Sequence, residues 1–530
     1  MGIYVNPGND NYVRALNSGI YVDKTGMLAR LNQVMDTEQC WICVSRPRRF
    51  GKTFAADMAA AYYSRGCSSA DLFKDRAISG DDSYETFLNS CNVIQWDMAE
   101  ALLNYGDAAA ALDGLIADTI DELDQEFPGA LRDMDRTRSL PLVLSRFFNV
   151  RHTKFIFIID EWDAFYRENT ASSIQERYTA LLRGMFKGGT SRRFTRLAYL
   201  TGILPIKRYN SESALNNFME YTMTGSFALS QYVGFTDTEV MALCEEHDMD
   251  YDRMRRMYDG YSFSESRHIY CPNSVVRAIT NRDYRCYWTQ TASYEIVRTY
   301  ICMDYQGLKG DISAVLAGGR CRVDIYGFEN DMHEVRNRDD VLTVLIHLGY
   351  LAYDEETAEA YVPNEEVRSA LQRVITDVSW TPVIQAIKAS DRLLKALLRK
   401  DADAVAAGVE KAHQDHASLW KYNDENTLAC VVRIAFYNAI NEYEIFSEMP
   451  AGLGRADLVF LPIKTSDKPA LVIELKNGRS AQSAIDQIQS RRYPEALERY
   501  AGRILLAGIS YDEKDPDKKH TCVIGEWTKE

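Results

Sequence analysis

Two charged residues near the end of the chain have a spacing that could support metal-assisted hydrolysis. Pro469–Lys476 reads PALVIELK, an apolar run that contains Glu474 and Lys476. On a β-strand, residues i and i+2 point to the same face. The pattern therefore predicts that the alternating leucine and isoleucine side chains enter a core while Glu474 and Lys476 emerge together on the other face. Such a strand would present a carboxylate beside an ammonium group.

A further acidic residue lies upstream within an apolar segment. Ala451–Leu461 reads AGLGRADLVFL, in which a Gly-containing turn leads into a strand carrying Asp457. Because a buried carboxylate is costly unless it is paired or metal-bound, Asp457 is expected to have a partner. Asp457 and Glu474 on neighbouring strands could share one hard divalent cation, with Mg²⁺ favoured and Mn²⁺ as the alternative. Lys476 would then lie beside a metal-activated water.

The order of these residues resembles the PD-(D/E)XK nuclease superfamily, whose pattern is an Asp, a variable gap, then Glu/Asp-x-Lys at the end of a strand. Further features resemble a DUF1703-type nuclease domain, namely an acid on the first helix at Glu425 and a QxxxxxY helix with Gln487 and Tyr493. The resemblance implies that Glu425 is an auxiliary metal-site acid and that Gln487 positions the water or the substrate phosphate. The alternative for Glu474 and Lys476 is a surface ion pair.

A Gly-Lys-Thr sequence near the N-terminus has the context of a phosphate-binding loop. A strand-like CWICVS runs into RPRRFGKT, and a helical pattern follows. Strand, tight loop and helix is the arrangement in which backbone N–H groups at a helix N-terminus hold phosphate. Gly51 lets the backbone approach phosphate, Lys52 would reach the β- and γ-phosphates, and the Thr53 hydroxyl would hold Mg²⁺. The loop residues predicted to bind ATP are Arg46, Pro47, Arg48, Arg49, Phe50, Gly51, Lys52 and Thr53.

The acidic residues that would complete a nucleotide site follow a second apolar strand. Lys154–Asp163 reads KFIFIIDEWD, whose uninterrupted apolar run predicts a central parallel strand. Asp160 and Glu161 come at its C-terminal end, where α/β folds place their ligands. Asp160 would bind Mg²⁺ through water and Glu161 would polarise the attacking water. A third predicted strand ends in Thr201, which is positioned to sense the γ-phosphate.

Five short motifs, taken in order, resemble the AAA-ATPase-like domain that bacteria commonly fuse to a DUF1703-type nuclease: YVDKT, SRPRRFGKT, IIDEWDAF, TGILPI and LNNF. In that family RPRRFGKT replaces the first Gly of the usual loop, so the resemblance treats Arg46 as a family feature. It also implies that Asp23 and Lys24 lie near the nucleotide. The alternative for Asp23 is an acid at a helix N-terminus, where the helix dipole stabilises it.

The fold class that follows is a multidomain α/β protein of 530 residues. We expect a P-loop NTPase core with a parallel sheet at 1–285, a helical and winged-helix-like connector at 286–415, and a restriction-endonuclease-like α/β domain at 416–530. In the connector, Arg338–Leu371 reads as helix, hairpin and helix, which resembles a winged-helix module. Its acidic turn, DEETAE, favours a lid on the ATPase over a DNA-binding role.

Composition excludes some functions and constrains others. The formal net charge is −15, which argues against a surface that coats nucleic acid generally but allows a local basic groove. Arg491 and Arg492, beside the predicted nuclease centre, are the best candidates for backbone contacts. The chain shows neither a run of about 18 apolar residues nor a signal pattern, so we expect a cytoplasmic protein with no membrane contact. Its 11 scattered cysteines indicate reduced, buried thiols, and this account is favoured over a zinc or redox site at Cys40 and Cys43.

These features predict a hydrolase with two activities. The N-terminal domain would hydrolyse ATP, and the C-terminal domain would be an ATP-dependent or ATP-regulated, Mg²⁺-dependent phosphodiesterase acting on nucleic acid, with DNA favoured over RNA. Defence, mobile-element control and repair are all compatible uses, and homo-oligomerisation stays open. The alternative is a nucleotide-switch protein whose nuclease-like domain binds without cutting. A second alternative is an ATPase, such as a motor or remodeller, that makes no use of the nuclease site.

Overall fold

The described part of the chain forms two compact units. One comprises Met1–Glu295 with Arg322–Ala370, and the other comprises Ile296–Cys321 with Leu371–Glu530. The division into three domains made from the sequence stays a prediction. The computed structural model of the protein describes residues 2–132, 139–168, 170–206, 208–209, 212–213, 215–225, 228–263, 266–288, 293–303, 305–328, 335–377, 390, 392–416, 432, 435–436, 439, 443–451, 454–462, 468–497, 503–511 and 519–528.

Helices and strands alternate along most of the chain. The helices are α1 (Asp10–Leu16), α2 (Gly26–Val34), α3 (Lys52–Tyr63), α4 (Ala70–Phe73), α5 (Tyr84–Phe87), α6 (Met98–Tyr105), α7 (Ala108–Glu126), α8 (Leu140–Arg151), α9 (Ala164–Arg167), α10 (Ser172–Phe186), α11 (Ser191–Phe194), α12 (Asp237–Glu246), α13 (Tyr251–Tyr258), α14 (Pro272–Asn281), α15 (Ser293–Ile301), α16 (Leu308–Leu316), α17 (Arg338–His347), α18 (Glu365–Asp377), α19 (Ala402–His416), α20 (Ala481–Ser490) and α21 (Tyr493–Leu497). The strands are β1 (Trp41–Ser45), β2 (Asn92–Asp97), β3 (Phe155–Asp160), β4 (Thr195–Gly202), β5 (Arg208–Tyr209), β6 (Glu212–Ser213), β7 (Met219–Tyr221), β8 (Phe235–Thr236), β9 (Tyr261–Phe263), β10 (Ser266–Tyr270), β11 (Cys321–Arg322), β12 (Ala352–Asp354), β13 (Glu359–Tyr361), β14 (Tyr443–Ala451), β15 (Gly454–Pro462), β16 (Ala470–Asn477), β17 (Arg503–Tyr511) and β18 (His520–Thr528). Among these helices none is long and apolar enough to cross a membrane.

A parallel five-stranded sheet is the centre of the first unit. Its strand order is β2-β3-β4-β1-β7, and every residue of β3 is buried, as its continuous apolar run predicts. Asp97 pairs in register with Asp160, and Val44 pairs with Thr201. The register therefore brings the carboxyl ends of these strands, with their polar residues, to one edge of the sheet.

The connector region contains the predicted helix, hairpin and helix. α17 is followed by the antiparallel hairpin of β12 and β13 and then by α18. The predicted order of helix, hairpin and helix is confirmed, and its assignment as a winged-helix-like module stays a prediction. Asn337 caps α17 by accepting a hydrogen bond from the Asp340 N–H at 3.0 Å, which explains where that helix begins.

A mixed five-stranded sheet forms the core of the second unit. Its order is β14-β15-β16-β17-β18, with β16 and β17 parallel and the other neighbouring pairs antiparallel. Apolar side chains cover both faces of β16. Leu471, Ile473 and Leu475 join one core cluster, and Ala470 and Val472 join the other. The alternation predicted from PALVIELK is confirmed, but both faces are buried.

Helix α20 covers the face of β16 that carries Glu474. Its buried residues, Ala481, Ala484, Ile485 and Ile488, follow the spacing of a single helical stripe. The helix passes so close to β17 that a Cβ at Gly508 would lie 2.2 Å from the Ala481 carbonyl oxygen. Gly508 is therefore required for α20 to reach its position against the sheet.

We predict that Gly508→Ala destabilises the second unit by about 1–3 kcal/mol or more, because the added methyl group forces α20 away from β17. Gly525→Ala on the neighbouring strand β18 is the matched control, since its nearest contact would be Leu506 Cβ at an ordinary 3.9 Å. Urea denaturation followed by circular dichroism measures both variants. Equal stability of the two variants would contradict the proposed close packing.

Candidate functional site

A cavity of about 1190 Å³ opens at the carboxyl edge of the parallel sheet. It combines cationic and hydroxyl groups of the predicted phosphate loop with acidic residues at the ends of β2 and β3. The polar residues that line it include Arg48, Arg49, Lys52, Thr53, Asp97, Glu161, Arg167 and Asn273. Its size and its cationic wall suit a nucleotide with its phosphates.

The loop before α3 has the geometry that a phosphate needs. Gly51 has a φ of 92°, in the left-handed region that favours glycine, and α3 begins at the next residue. The Lys52 ammonium group donates to the Pro47 carbonyl at 3.1 Å and lies 3.8 Å from Glu161 Oε1. Burial lowers the pKa of Lys52, although Glu161 and Asp160 act in the opposite direction. The helix N-terminus and Lys52 thus form a cationic site.

Arg46 lies beneath this loop and not in the cavity. Its Nη1 donates to the carbonyl oxygens of Ser45 and Thr222, and its guanidinium group lies 4.3 Å from the centre of the Phe263 ring. The side chain is fully buried, and burial lowers its pKa to about 9. Arg46, which stands at the position of the usual first Gly, therefore supports the loop from below.

Two further loop residues, Arg49 and Phe50, connect the loop to later parts of the chain. The Phe50 ring packs edge-on against Tyr261, and Arg49 donates to the Tyr287 carbonyl at 3.1 Å. Arg49 has a φ of 71°, so its backbone is strained and depends on these contacts. Tyr287 N–H in turn donates to the buried carboxylate of Glu366 on α18 at 2.6 Å.

Asp160 lies at the end of β3 with Thr201 and Thr53 beside it. Thr201 donates to Asp160 Oδ1 in a close contact, so Thr201 faces this carboxylate from the neighbouring strand. Burial raises the pKa of Asp160, whereas hydrogen bonds from Thr201 and Thr53 lower it. The other oxygen, Oδ2, is buried and has no hydrogen-bond partner among the described residues. A cation between Thr53 and Asp160 would satisfy it.

Glu161 is held between two cations. Its φ of 50° is left-handed, and its carboxylate contacts Arg167 while also facing Lys52. Arg167 forms a second ion pair with Asp163 at 3.0 Å. Burial alone would lower the pKa of Arg167, but Asp163 and then Glu161 raise it overall. Sequence reasoning missed Arg167, although its position four residues after Asp163 could have suggested an ion pair on a helix.

Two more cavity residues were missed. Asn273, at the start of α14, has a side-chain Nδ2 that is buried without a partner among the described residues. Asp97 Oδ1 caps α6 by accepting from Ala99 and Glu100 N–H groups at 2.9 Å, and burial raises the pKa of Asp97. Neither residue belongs to a recognisable motif, so only the fold reveals its position.

Asp23 and Lys24 have other partners. Asp23 accepts hydrogen bonds from the N–H groups of Thr25 and Ala77 at 2.9 and 2.7 Å. Lys24 is buried in an ion pair with Glu239 at 2.6 Å. These contacts favour the alternative in which Asp23 is a structural acid just before α2.

The second group of predicted residues meets on β15 and β16. Leu458 pairs with Ile473 in the antiparallel register, so one step further Asp457 is opposite Glu474. Asp457 Oδ2 also accepts a hydrogen bond from the Leu475 N–H at 2.8 Å. The two carboxylates are therefore neighbours, as the sequence predicts.

Glu474 is surrounded by groups that contact only one of its oxygens. Lys476 Nζ donates to Glu474 Oε1 at 3.1 Å, and Gln487 Nε2 donates to the same oxygen in a close contact. Glu474 is 1% exposed and Lys476 is 9% exposed, which excludes the surface ion pair. Oε2 of Glu474 is buried without a hydrogen-bond partner among the described residues.

Both sites have donor sets that fit a hard divalent cation. Each offers oxygen atoms only, and each has one buried carboxylate oxygen still unsatisfied. Within the described ranges no group of three or more His, Cys, Asp or Glu side chains forms a closed metal cage. Mg²⁺ needs no such cage, because it is usually held by one or two carboxylates, waters and substrate phosphates.

The structure describes some of the other residues that were predicted for the second site. The Tyr493 hydroxyl donates to the Arg455 carbonyl at 2.6 Å, which joins the helix after the Lys strand to the Asp457 hairpin. Arg491 and Arg492 are exposed beside it. Glu425 lies outside the described residues, so its role as an auxiliary acid stays a prediction.

Two known protein families match the parts of the chain that contain these two sites. Residues 8–210 match the family described as Predicted AAA-ATPase, and residues 423–521 match the PD-(D/E)XK nuclease superfamily. The chain joins an AAA-ATPase-like domain to a PD-(D/E)XK nuclease superfamily domain. The fusion predicted from the motifs is thereby confirmed.

Individual relatives add little about activity. The chain is 24% identical over 283 residues to the "Uncharacterized protein in vnfD 5'region" of Azotobacter chroococcum mcd 1, a match that covers 52% of this chain and 51% of that protein. The chain thus spans about half the length of this curated relative. Among solved structures, the Aeropyrum pernix ORC2 protein (ADPNP-ADP complexes) is 12% identical to this chain, with a TM-score of 0.30. That match covers 69% of this chain and 98% of the ORC2 chain. The Aeropyrum pernix ORC1 protein in complex with DNA is 13% identical and covers 70% and 98%, with a TM-score of 0.25.

The buried Glu474 makes the stability of the PD-(D/E)XK domain depend on pH. Burial, followed by the charge of Asp457, raises the pKa of Glu474 from 4.5 to about 7. The folded domain therefore favours the protonated acid, and this stabilisation is complete below about pH 4.5 and is lost as the pH rises through about 7. In metal-free protein we predict that Glu474→Gln increases the free energy of unfolding at about pH 8.5 by up to roughly 3 kcal/mol, with little effect at about pH 5.

Urea denaturation in EDTA at the two pH values measures this difference. Glu526→Gln is the control, because Lys400 and Arg503 lower the pKa of that exposed carboxyl and the variant should gain no stability at high pH. A Glu474→Gln protein that is less stable than wild type at about pH 8.5 would contradict the assignment.

Proposed function

We propose that the protein is an ATP-dependent or ATP-regulated nuclease that cuts DNA by metal-assisted hydrolysis. The observation that carries this proposal is the meeting of Asp457, Glu474 and Lys476 on adjacent strands of the PD-(D/E)XK domain, with one Glu474 oxygen buried and unsatisfied. An arrangement of three buried or half-buried charges is costly and is difficult to explain by stability alone. It is the arrangement that a hydrolytic site requires.

In the PD-(D/E)XK domain, each residue has a distinct proposed role. Asp457 and Glu474 would hold a divalent cation, which when bound lowers the pKa of a water and stabilises charge on the phosphate. Lys476 stays close to Glu474 and would orient the attacking water or stabilise the developing negative charge. Gln487 fixes the orientation of Glu474 through its amide. Arg491 and Arg492 are exposed and would contact the DNA backbone.

In the AAA-ATPase-like domain, the loop and the ends of β3 and β4 would bind and hydrolyse ATP. The N-terminus of α3 and Lys52 would hold the phosphates, while Thr53 and Asp160 would hold Mg²⁺. Thr201 contacts Asp160 and would keep its orientation when the γ-phosphate is present. Glu161 would accept a proton from the attacking water. ATP hydrolysis would then change the cleavage activity of the nuclease site.

The nuclease site is tested by Asp457→Ala. We predict that Mg²⁺-dependent cleavage of linear DNA falls at least about 100-fold while DNA binding is retained, because Asp457 holds the cation and does not recognise the DNA. Asp486→Asn, on the exposed side of α20, is the control and should cleave normally. Gel-based cleavage and fluorescence anisotropy measure the two properties. Binding without cleavage in the wild type would favour the nucleotide-switch alternative.

The ATPase site is tested by Glu161→Gln. We predict that ATP binding persists while turnover falls at least about 100-fold, since the amide cannot accept the proton of the attacking water. Glu176→Gln, on the exposed face of α10, is the control. Phosphate release and nucleotide binding are measured side by side. Full DNA cleavage by Glu161→Gln in the presence of ATP would show that the two activities are separable.

A further inference from the structure

Arg167 is a charged residue of the nucleotide cavity to which the proposed roles assign no function. It lies at the end of α9, its side chain is 5% exposed, and it is one of the residues that line the cavity. Its guanidinium group contacts the Glu161 carboxylate and lies 3.0 Å from Asp163 Oδ2. A buried cation of this kind, lining the same cavity as Lys52, has the chemistry to bind an anionic oxygen.

The ion pair with Asp163 does not by itself explain Arg167. Asp163 Oδ2 already accepts hydrogen bonds from the N–H groups of Ile203 and Leu204 at 3.0 and 2.9 Å. This carboxylate is therefore anchored to the backbone after β4 without help from the arginine. In return it fixes the Arg167 side chain at the edge of the cavity. The result is a preorganised guanidinium group with Glu161 as its second partner.

In this arrangement the Glu161 carboxylate is engaged by two cations. One of its oxygens contacts Arg167, and the other faces Lys52 at 3.8 Å. The two cations therefore compete with a water molecule for the carboxylate. A triphosphate in the cavity would bring negative oxygens to the same two cations. Binding would then release Glu161 toward the attacking water at the moment when the γ-phosphate is in place.

We propose that Arg167 is a catalytic residue that binds the γ-phosphate of a nucleoside triphosphate within its own chain and, in its absence, holds Glu161 inactive. This inference rests on the proposed ATPase function. In the hydrolytic step, a water oxygen forms a bond to the γ-phosphorus and the bond from that phosphorus to the β–γ bridging oxygen breaks. The electron pair leaves with ADP, the proton of the water passes to Glu161, and Arg167 stabilises the charge on the transferred group.

Two properties follow from this role. First, Arg167 should distinguish ATP from ADP, because only the triphosphate offers it a γ-phosphate. Second, the arginine acts on the nucleotide bound by the same chain, so the specific ATPase activity should not depend on protein concentration. A purely structural arginine would leave the ATP-to-ADP affinity ratio unchanged, and an arginine supplied by a second copy would make the specific activity rise with protein concentration.

The test compares full-length wild type, Arg167→Gln and Arg167→Lys, with Arg177→Gln as the matched control. Arg177 forms an exposed ion pair with Asp113 at 2.5 Å on α10 and α7, away from the phosphate loop. Affinities for ADP and for a non-hydrolysable ATP analogue are measured by calorimetry, turnover is measured by phosphate release, and melting temperature reports folding. We expect Arg167→Gln to lose roughly tenfold or more of the preference for the triphosphate and about 100-fold or more of kcat, with ADP affinity nearly unchanged. Arg167→Lys should recover part of both losses, and Arg177→Gln should match wild type.

Several results would overturn the proposal. An unchanged ATP-to-ADP affinity ratio and kcat in Arg167→Gln would assign Arg167 a structural role while leaving the ATPase function in place. Recovery of activity on mixing Arg167→Gln with Glu161→Gln protein, or a specific activity that rises with wild-type concentration, would assign the arginine to a second copy. If Arg167→Gln does not fold, wild-type values of the ratio and kcat in Arg167→Lys would overturn the inference. A wild type that binds neither nucleotide would overturn the proposed ATPase function as well.

Discussion

The burial of carboxylates on strands of the two sheets is the constraint on which the rest of the structure depends. Asp160 and Glu474 lie in different units, yet each is nearly inaccessible and each has one oxygen without a partner among the described residues. Burial raises the pKa of both groups. An isolated charge in such a position would be strongly unfavourable, so each site gains stability either by protonation or by binding a cation. Under the proposed function, a hard metal ion with a phosphate ligand would occupy each site.

The two folds position these acids by different means. In the parallel sheet, the register places the ends of β3 and β4 beside the loop that leads into α3, so Asp160 meets Thr201 and Thr53. In the mixed sheet, antiparallel pairing places Asp457 opposite Glu474, and α20 brings Gln487 onto the same carboxylate. The close approach at Gly508 allows that helix to cover the site. In both cases a short motif contributes the chemistry and a distant backbone contact determines its geometry.

Much of this arrangement could be predicted from the sequence because the decisive patterns are local. The apolar run before Asp160 and the alternation around Glu474 predict strands β3 and β16, and the structure contains both. The environment of Glu474 was less predictable, because the second buried face of β16 depends on α20 and not on the strand. Arg46 was predicted to bind ATP by its place in the loop, but it points toward Thr222, which is distant in sequence. Arg167 belongs to no motif, so its contact with Glu161 is visible only when the end of β3 and helix α9 are seen together.

We propose that the PD-(D/E)XK domain cuts DNA under the influence of the nucleotide site. The most direct measurement is cleavage of linear, circular and single-stranded DNA with Mg²⁺ or Mn²⁺, with and without ATP, by wild type and Glu474→Ala. Our account predicts metal-dependent cleavage that changes with ATP and disappears in the variant. ATP hydrolysis without cutting of any DNA substrate under either metal would contradict it.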